Sequence, residues 1–393
     1  MKHFFTAVLC FWAAQLMLSA QLNTTGSINF EGLQRDYMLY VPASYNPATP
    51  VPLLLNLHGY GSINWQQDFY GDFKPIADTA NFIIATPNGT PDTTGSLYWN
   101  VGFFPSQIND VGFLSALIDT LSASYNIDQS RLYSAGMSNG GFMGYTLACN
   151  TNRFAAIASV TGSMTTPTFN NCNPQKPTPV IEIHGTADPT VPYNGTALFS
   201  PIEEVVNFWV QYNNCNPTPQ ITALPDTNTG DSATAEQYLY SGGDNGTSVE
   251  FYKVINGAHT WPGAPINFGG PTCMDFSASV AIWHFFNQNI NTSTAIPASG
   301  NLNPVPALEV FPNPANEQLY LSWPQQNTNQ TQNTNYMVNI CNLQGQIIEK
   351  YNLPTHSNNG QPSRIDISRL PAGTYIITAA NEQHFFANKI AVK

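Results

Sequence analysis

One stretch constrains this 393-residue chain more than any other: Arg131-Leu-Tyr-Ser-Ala-Gly-Met-Ser-Asn-Gly-Gly141. Leu132 to Ala135 is a short apolar run that reads as a buried strand, and Phe142 to Ala148 reads as a helix. Gly136-Met137-Ser138-Asn139-Gly140 lies between them. A strand that turns into a helix so abruptly has no room for side chains at the bend, which is why glycine is needed at 136 and 140. The pattern is a Gly-x-Ser-x-Gly nucleophile elbow. It holds Ser138 in a strained conformation with its hydroxyl exposed at the head of a helix. The helix N-terminus favours negative charge, so the N–H of Asn139 is a candidate oxyanion donor.

The flanking chain supplies the setting. Val51 to Leu57 is a continuous apolar run, as expected of a strand covered on both faces of a parallel sheet. It ends in His58-Gly59-Tyr60-Gly61, and the loop after that strand is where a second oxyanion N–H belongs, with Tyr60 the candidate. Phe82 to Thr86, Phe154 to Val160, Val180 to Ile183 and Ser248 to Ile255 read as further strands. Ile202 to Tyr212 and Phe276 to Asn289 read as helices. Asp110 heads an amphipathic segment with Val111, Leu114, Leu117, Ile118 and Leu121 at helical spacing, and it reads as a first-turn carboxylate rather than a catalytic one. Strands alternating with helices predict an α/β fold, a doubly wound and mostly parallel sheet with functional loops at the carboxyl ends of its strands.

A serine nucleophile needs a base, and the base needs an orienting carboxylate. On this kind of sheet the chain order is Ser, acid, His. Asp188, in His184-Gly-Thr-Ala-Asp-Pro189, and His259, in Asn256-Gly-Ala-His-Thr-Trp-Pro-Gly263, each follow a buried strand, which carries both to the edge where the elbow lies. His259 is therefore the expected general base and Asp188 its partner. His184 and His284 read as packed histidines. Trp99, in a Gly- and Pro-rich loop, and Trp261 are expected to wall an apolar substrate cleft together with Tyr60.

Twelve Lys and Arg against twenty-four Asp and Glu leave a net charge of −12, with 9% of residues charged. A basic groove is missing, which argues against nucleic-acid or other polyanionic ligands. Lys2 and His3, the apolar run Phe4 to Leu18 and the small residues before Gln21 read as a secretory signal peptide over 1–20. No other stretch has the apolar length of a transmembrane helix. Export makes disulfides expected. Of the cysteines beyond the leader, Cys149–Cys172 and Cys215–Cys273 are the favoured pairs, Cys341 is left over, and none shows zinc-site spacing. Residues 292–306, rich in Asn, Ser, Pro and Ala, read as a linker between a domain over 21–291 and a small all-β sandwich over 307–393.

Two resemblances follow from these residues. Leu57-His-Gly, Gly136-Met-Ser-Asn-Gly-Gly141, His184-Gly-Thr-Ala-Asp188 and Gly257-Ala-His-Thr-Trp-Pro-Gly263 make the first domain similar to the secreted esterases that join polyhydroxybutyrate depolymerases with feruloyl esterases of carbohydrate esterase family one. The resemblance implies an α/β-hydrolase fold, Ser138, Asp188 and His259 as triad, and neither metal nor organic cofactor. A neutral ester is the implied substrate, an aromatic acyl ester on plant polysaccharide first and a polyester second. A non-catalytic polymer-binding protein is the reading from a different class. Val310-Phe-Pro-Asn-Pro-Ala315, Leu370-Pro-Ala-Gly-Thr-Tyr375 and the terminal Lys389-Ile-Ala-Val-Lys393 resemble the C-terminal sorting domain of type IX secretion substrates. That implies the type IX machinery as partner and an extracellular or cell-surface location.

Overall fold

The structure is a computed structural model. It describes residues 21–265, 270–291, 308–322, 335–342, 347–354, 362–380 and 385–393. The expected signal peptide (1–20) and linker (292–306) lie outside the described residues.

The chain opens with β1 (Leu22–Phe30) and β2 (Leu33–Val41), an antiparallel hairpin whose two-residue turn places Glu31 and Gly32 both at positive φ. β3 (Val51–Leu57) is buried at every position. Two short helices follow, α1 (Asn64–Tyr70) and α2 (Lys74–Ala80), then β4 (Ile83–Pro87) and the small ribbon of β5 (Thr90–Pro91) and β6 (Leu97–Tyr98). α3 (Asp110–Ser124) leads to β7 (Ile127–Met137), which runs directly into α4 (Asn139–Asn150). Next come β8 (Ala156–Val160), α5 (Thr166–Asn171), β9 (Val180–Gly185) and α6 (Ile202–Tyr212). β10 (Gln220–Ala223), β11 (Thr234–Tyr240), β12 (Val249–Ile255) and α7 (Ala278–Asn287) complete the domain.

Ten of these strands form one sheet in the order β1-β2-β4-β3-β7-β8-β9-β12-β11-β10. The six central strands from β4 to β12 are parallel, and antiparallel strands extend both edges. Side chains alternate across it, so Leu53, Leu55 and Leu57 feed one core with α3, α4 and α6, while Leu54, Tyr133 and Ile183 feed a second core with α2 and α7. This is the α/β-hydrolase arrangement expected.

The C-terminal region pairs a three-stranded sheet of β13 (Glu309–Phe311), β14 (Gln318–Ser322) and β17 (Ser363–Asp366) with a four-stranded sheet. The latter contains β15 (Asn335–Cys341), β16 (Ile347–Pro354), β18 (Gly373–Ala380) and β19 (Phe385–Val392). Leu319, Val338, Ile340, Ile365, Ile377 and Ile390 share one core. The small all-β domain is therefore present.

The cysteine expectation holds only in half. Cys149, at the end of α4, bonds Cys172, just past α5. Cys215 and Cys273 are not bonded; both are free and buried. The reason is that the sheet lies between them: Cys215 belongs to the core with α6, Cys273 to the core with α7. Proximity in sequence had paired what alternate faces of one sheet keep apart. His284 also departs from expectation, because the period of α7 turns Trp283, Phe285 and Phe286 inward and leaves His284 exposed.

The disulfide closes a sequence separation of 23 residues that includes β8 and α5. The double variant Cys149→Ala, Cys172→Ala is expected to lose about 3 kcal/mol of stability, read as a lower denaturation midpoint in urea. Under non-reducing conditions the wild type should still titrate Cys215 and Cys273 as thiols once unfolded.

Candidate active site

The elbow follows from close backbone packing. A Cβ at Gly140 would sit 2.2 Å from the Leu57 carbonyl oxygen, and one at Gly136 would sit 2.4 Å from the Gly140 carbonyl carbon. Nothing but glycine lets the turn lie this close to the end of β3. Between them Ser138 adopts φ 54° and ψ −121°, a region that costs a non-glycine residue about 1–3 kcal/mol. Its amide donates to the Val160 carbonyl at 2.8 Å, which pins the strained residue to β8.

Asp188 and His259 sit at the carboxyl ends of β9 and β12, adjacent strands of the sheet. His259 Nδ1 lies 2.7 Å from Asp188 Oδ2, and the Asp188 carboxylate is fully buried while the imidazole is 17% exposed. Asp188 Oδ1 accepts the N–H groups of Thr190 at 2.8 Å and Val191 at 2.9 Å. The carboxylate is thus fixed in the tautomer-setting position, with Nδ1–H donating and Nε2 left as acceptor. Ser138 and His259 line the same cleft, of about 310 Å3, but no hydrogen bond joins them in this structure.

Of the two expected oxyanion donors, Tyr60 lines the cleft, while Asn139 is buried at the head of α4, next to Ser138 in the chain. Tyr60 and Asn139 amides have no protein acceptor among the described residues. They are held by a connected set of bonds. The Asn139 side chain makes a reciprocal pair with the Trp99 backbone, accepting its N–H at 2.6 Å and donating to its carbonyl at 3.1 Å. Trp99 Nε1–H donates to the His58 carbonyl at 2.9 Å. His58 Nδ1–H donates to the Gly59 carbonyl at 2.7 Å, and Nε2 accepts the Gly89 N–H at 3.0 Å.

Contrary to the expectation from its loop, Trp99 does not wall the cleft: it is wholly buried and absent from the cleft lining. Its loop is not free: Asn100 N–H donates to Asp110 at 2.7 Å, and Asp110 pairs with the buried guanidinium of Arg35 at 2.7 Å. Asp110 is structural, as expected, though by a buried ion pair rather than by the helix dipole alone. Trp261 does line the cleft, yet it is almost fully buried, packed edge-on against Phe73 and donating Nε1–H to Ser279 at 3.2 Å. Tyr60 is half exposed at the rim. Sequence reasoning missed Trp65 and Phe69, 55% and 45% exposed, whose i, i+4 spacing on α1 sets both on the cleft wall.

Asp231, Cys273 and Asp275 bring possible ligand atoms within 4.8 Å of one another, away from Ser138. Their carboxylates staple loops, Asp275 accepting the amides of Thr227 and Asn228 and Asp231 those of Ala233 and Met274. Burial pushes the Cys273 thiol up to about 12, opposite to what a metal ligand needs.

Fold and relatives together define the class: an α/β-hydrolase that is a carboxylic-ester hydrolase. The chain is 28% identical over 261 residues to feruloyl esterase C of Emericella nidulans, covering 64% of this chain and 83% of that protein. It is 27% identical over 272 residues to the bifunctional acetylxylan esterase/xylanase XynS20E of Neocallimastix patriciarum, covering 69% of this chain but only 36% of that longer protein. Among solved structures, the acetyl xylan esterase of Aspergillus awamori superposes with a TM-score of 0.48 at 16% identity, over 67% of this chain and 99% of that one. Residues 309–393 match the secretion system C-terminal sorting domain, so the chain carries a secretion tail. No helix among the described residues is long and apolar enough to cross a membrane.

Burial holds the His58 imidazole down at about 4, against an ordinary value of 6.5. A histidine depressed in the folded state stabilises fully above its unfolded pKa and progressively less below it. Stability should therefore fall on the order of 3 kcal/mol between pH 6.5 and 4 through this group. Urea midpoints across that window should show a shallower decline for His58→Gln than for the wild type.

Proposed function

We propose that the chain is a secreted serine esterase of the feruloyl-esterase type, with Ser138 as nucleophile, His259 as general base and acid, and Asp188 as orienting carboxylate. The observation that carries it is the Asp188–His259 pair opening on the cleft that also holds Ser138 at its strained elbow. His259 Nε2 takes the Ser138 proton as Oγ attacks the ester carbonyl. The amides of Tyr60 and Asn139 receive the oxyanion. The leaving alkoxide takes its proton from His259, and water repeats the sequence on the acyl-enzyme.

The cleft supports the substrate class. Tyr60, Trp65, Phe69, Tyr70 and Trp261 give it aromatic walls, and among the described residues no Lys, Arg, Asp or Glu lines it. A flat, uncharged aromatic acyl group suits such walls, as in a feruloyl ester on plant polysaccharide. The open rim with exposed Trp65 and Phe69 also suits an extended polyester such as polyhydroxybutyrate, the second reading. The proposal includes the division into a leader over 1–20, a hydrolase domain over 21–291, a linker over 292–306 and a sorting domain over 307–393. Export through the type IX machinery would then deliver the enzyme to the cell surface or medium.

Methyl ferulate and polyhydroxybutyrate film separate the substrates. Ser138→Ala is expected to lower kcat on the preferred one by at least about 10⁴-fold with an unchanged melting temperature. Hydrolysis near the wild-type rate would sink the triad. Trp65→Ala should raise KM for methyl ferulate about tenfold at similar kcat. Film clearing without ferulate release would decide for the polyester.

A further inference from the structure

We propose that His184, held as an imidazolium by Glu182, shares the Asp188 carboxylate with His259, and so acts as a positioning residue that lowers the pH at which His259 becomes a base. The inference rests on the triad reading above.

The geometry is a buried line of polar groups behind the acid. His184 and the Glu182 and Asp188 carboxylates are essentially inaccessible to solvent. His184 Nε2 lies 2.9 Å from the Val191 carbonyl oxygen and 3.6 Å from Asp188 Oδ2, the same oxygen that faces His259 Nδ1 at 2.7 Å. A carbonyl only accepts, so Nε2 carries a proton. His184 Nδ1 lies 2.9 Å from Glu182 Oε1, and Glu182 Oε2 accepts the Tyr145 hydroxyl at 2.7 Å. Burial raises the Glu182 carboxyl, whereas donation by His184 and by that hydroxyl favours its ionised form, and an ionised Glu182 in turn favours a proton on Nδ1.

Charge balance points the same way. Two buried carboxylates flank one ring, and a neutral ring would leave the Glu182 charge without a cation beside it. Burial lowers the basicity of His184, but the bond to Glu182 and the fields of Glu182 and Asp188 outweigh it, and its pKa is raised. The surrounding elements add no competing charge. Lys253 of β12 binds Glu203 of α6 at 2.9 Å, so these two satisfy each other. Tyr193, whose ring meets His184 edge-on at 6.2 Å, donates its hydroxyl to Glu203.

A cation on one side of Asp188 weakens the pull of that carboxylate on a second cation at His259. His259 must be neutral to accept the serine proton, so the device extends activity toward lower pH.

The experiment follows kcat/KM of the full secreted chain on p-nitrophenyl acetate from pH 4.5 to 9, with melting temperatures taken in parallel. In Glu182→Gln the amide donates to Nδ1, and His184 becomes neutral while Nε2–H still serves Val191. Its acid limb should move up by about 0.5–1 pH unit. Tyr145→Phe removes only a hydroxyl and should give a smaller shift in the same direction. Limbs that superimpose on the wild type in the folded variants, whatever the loss of stability, overturn the proposal. If Glu182→Gln does not fold, Tyr145→Phe decides alone. Ser138→Ala run beside them separates the two readings: activity retained there refutes the triad itself, whereas an inactive Ser138→Ala with unshifted limbs refutes only the role of His184.

Discussion

The contact between the elbow and the end of β3 governs the rest of the first domain. Backbone meets backbone there at distances that exclude any Cβ, so β3, β7 and α4 have one relative placement. That placement sets the head of α4 beside the loop after β3, where a Cβ on Gly59 would lie 3.3 Å from the Cβ of Ser138. The strain at Ser138 is sustained by its bond to β8 and by the helix that follows.

Polar groups behind the cleft then hold what the backbone has placed. Asn139, Trp99 and His58 tie the elbow to the loop after β3, and Arg35 with Asp110 anchors the segment that delivers Trp99. On the other flank, Glu182, His184 and Asp188 form a second buried line leading to His259. In both lines each carboxylate has its donors, which is the condition for keeping charge away from water, although Arg35 Nε is buried without a partner among the described residues. The cleft itself is walled largely by aromatic surface from Tyr60, Trp65, Phe69, Tyr70 and Trp261.

Among the described residues, the C-terminal sheets show no comparable line of buried ion pairs. Their core is aliphatic and aromatic, built from alternating positions of short strands, and its recognised role is as a sorting tail. The candidate site and the sorting tail thus belong to separate cores in one chain, each with its own sequence signature.

Much of the candidate site can be read from the chain because each proposed member follows a strand with a continuous apolar run. Val51–Leu57, Leu132–Ala135, Val180–Ile183 and Ser248–Ile255 mark the parallel strands, and Ser138, Asp188 and His259 come next in the required order. Local sequence determines a strand, a turn and a glycine that no other residue can replace. It does not determine which face of the sheet a distant residue joins. Cys215 and Cys273 were paired by proximity in sequence, and tertiary structure put the sheet between them. Trp99 sat in a loop without a visible core, and only the fold supplied His58 and Asn139 as its partners. α1, with seven residues, is too short to show a helical period, so Trp65 and Phe69 went unread until it docked beside the elbow. Chemistry that depends on the next few residues was written in the chain; burial, pairing and shared carboxylates depend on groups tens to hundreds of residues away, and only packing decided them.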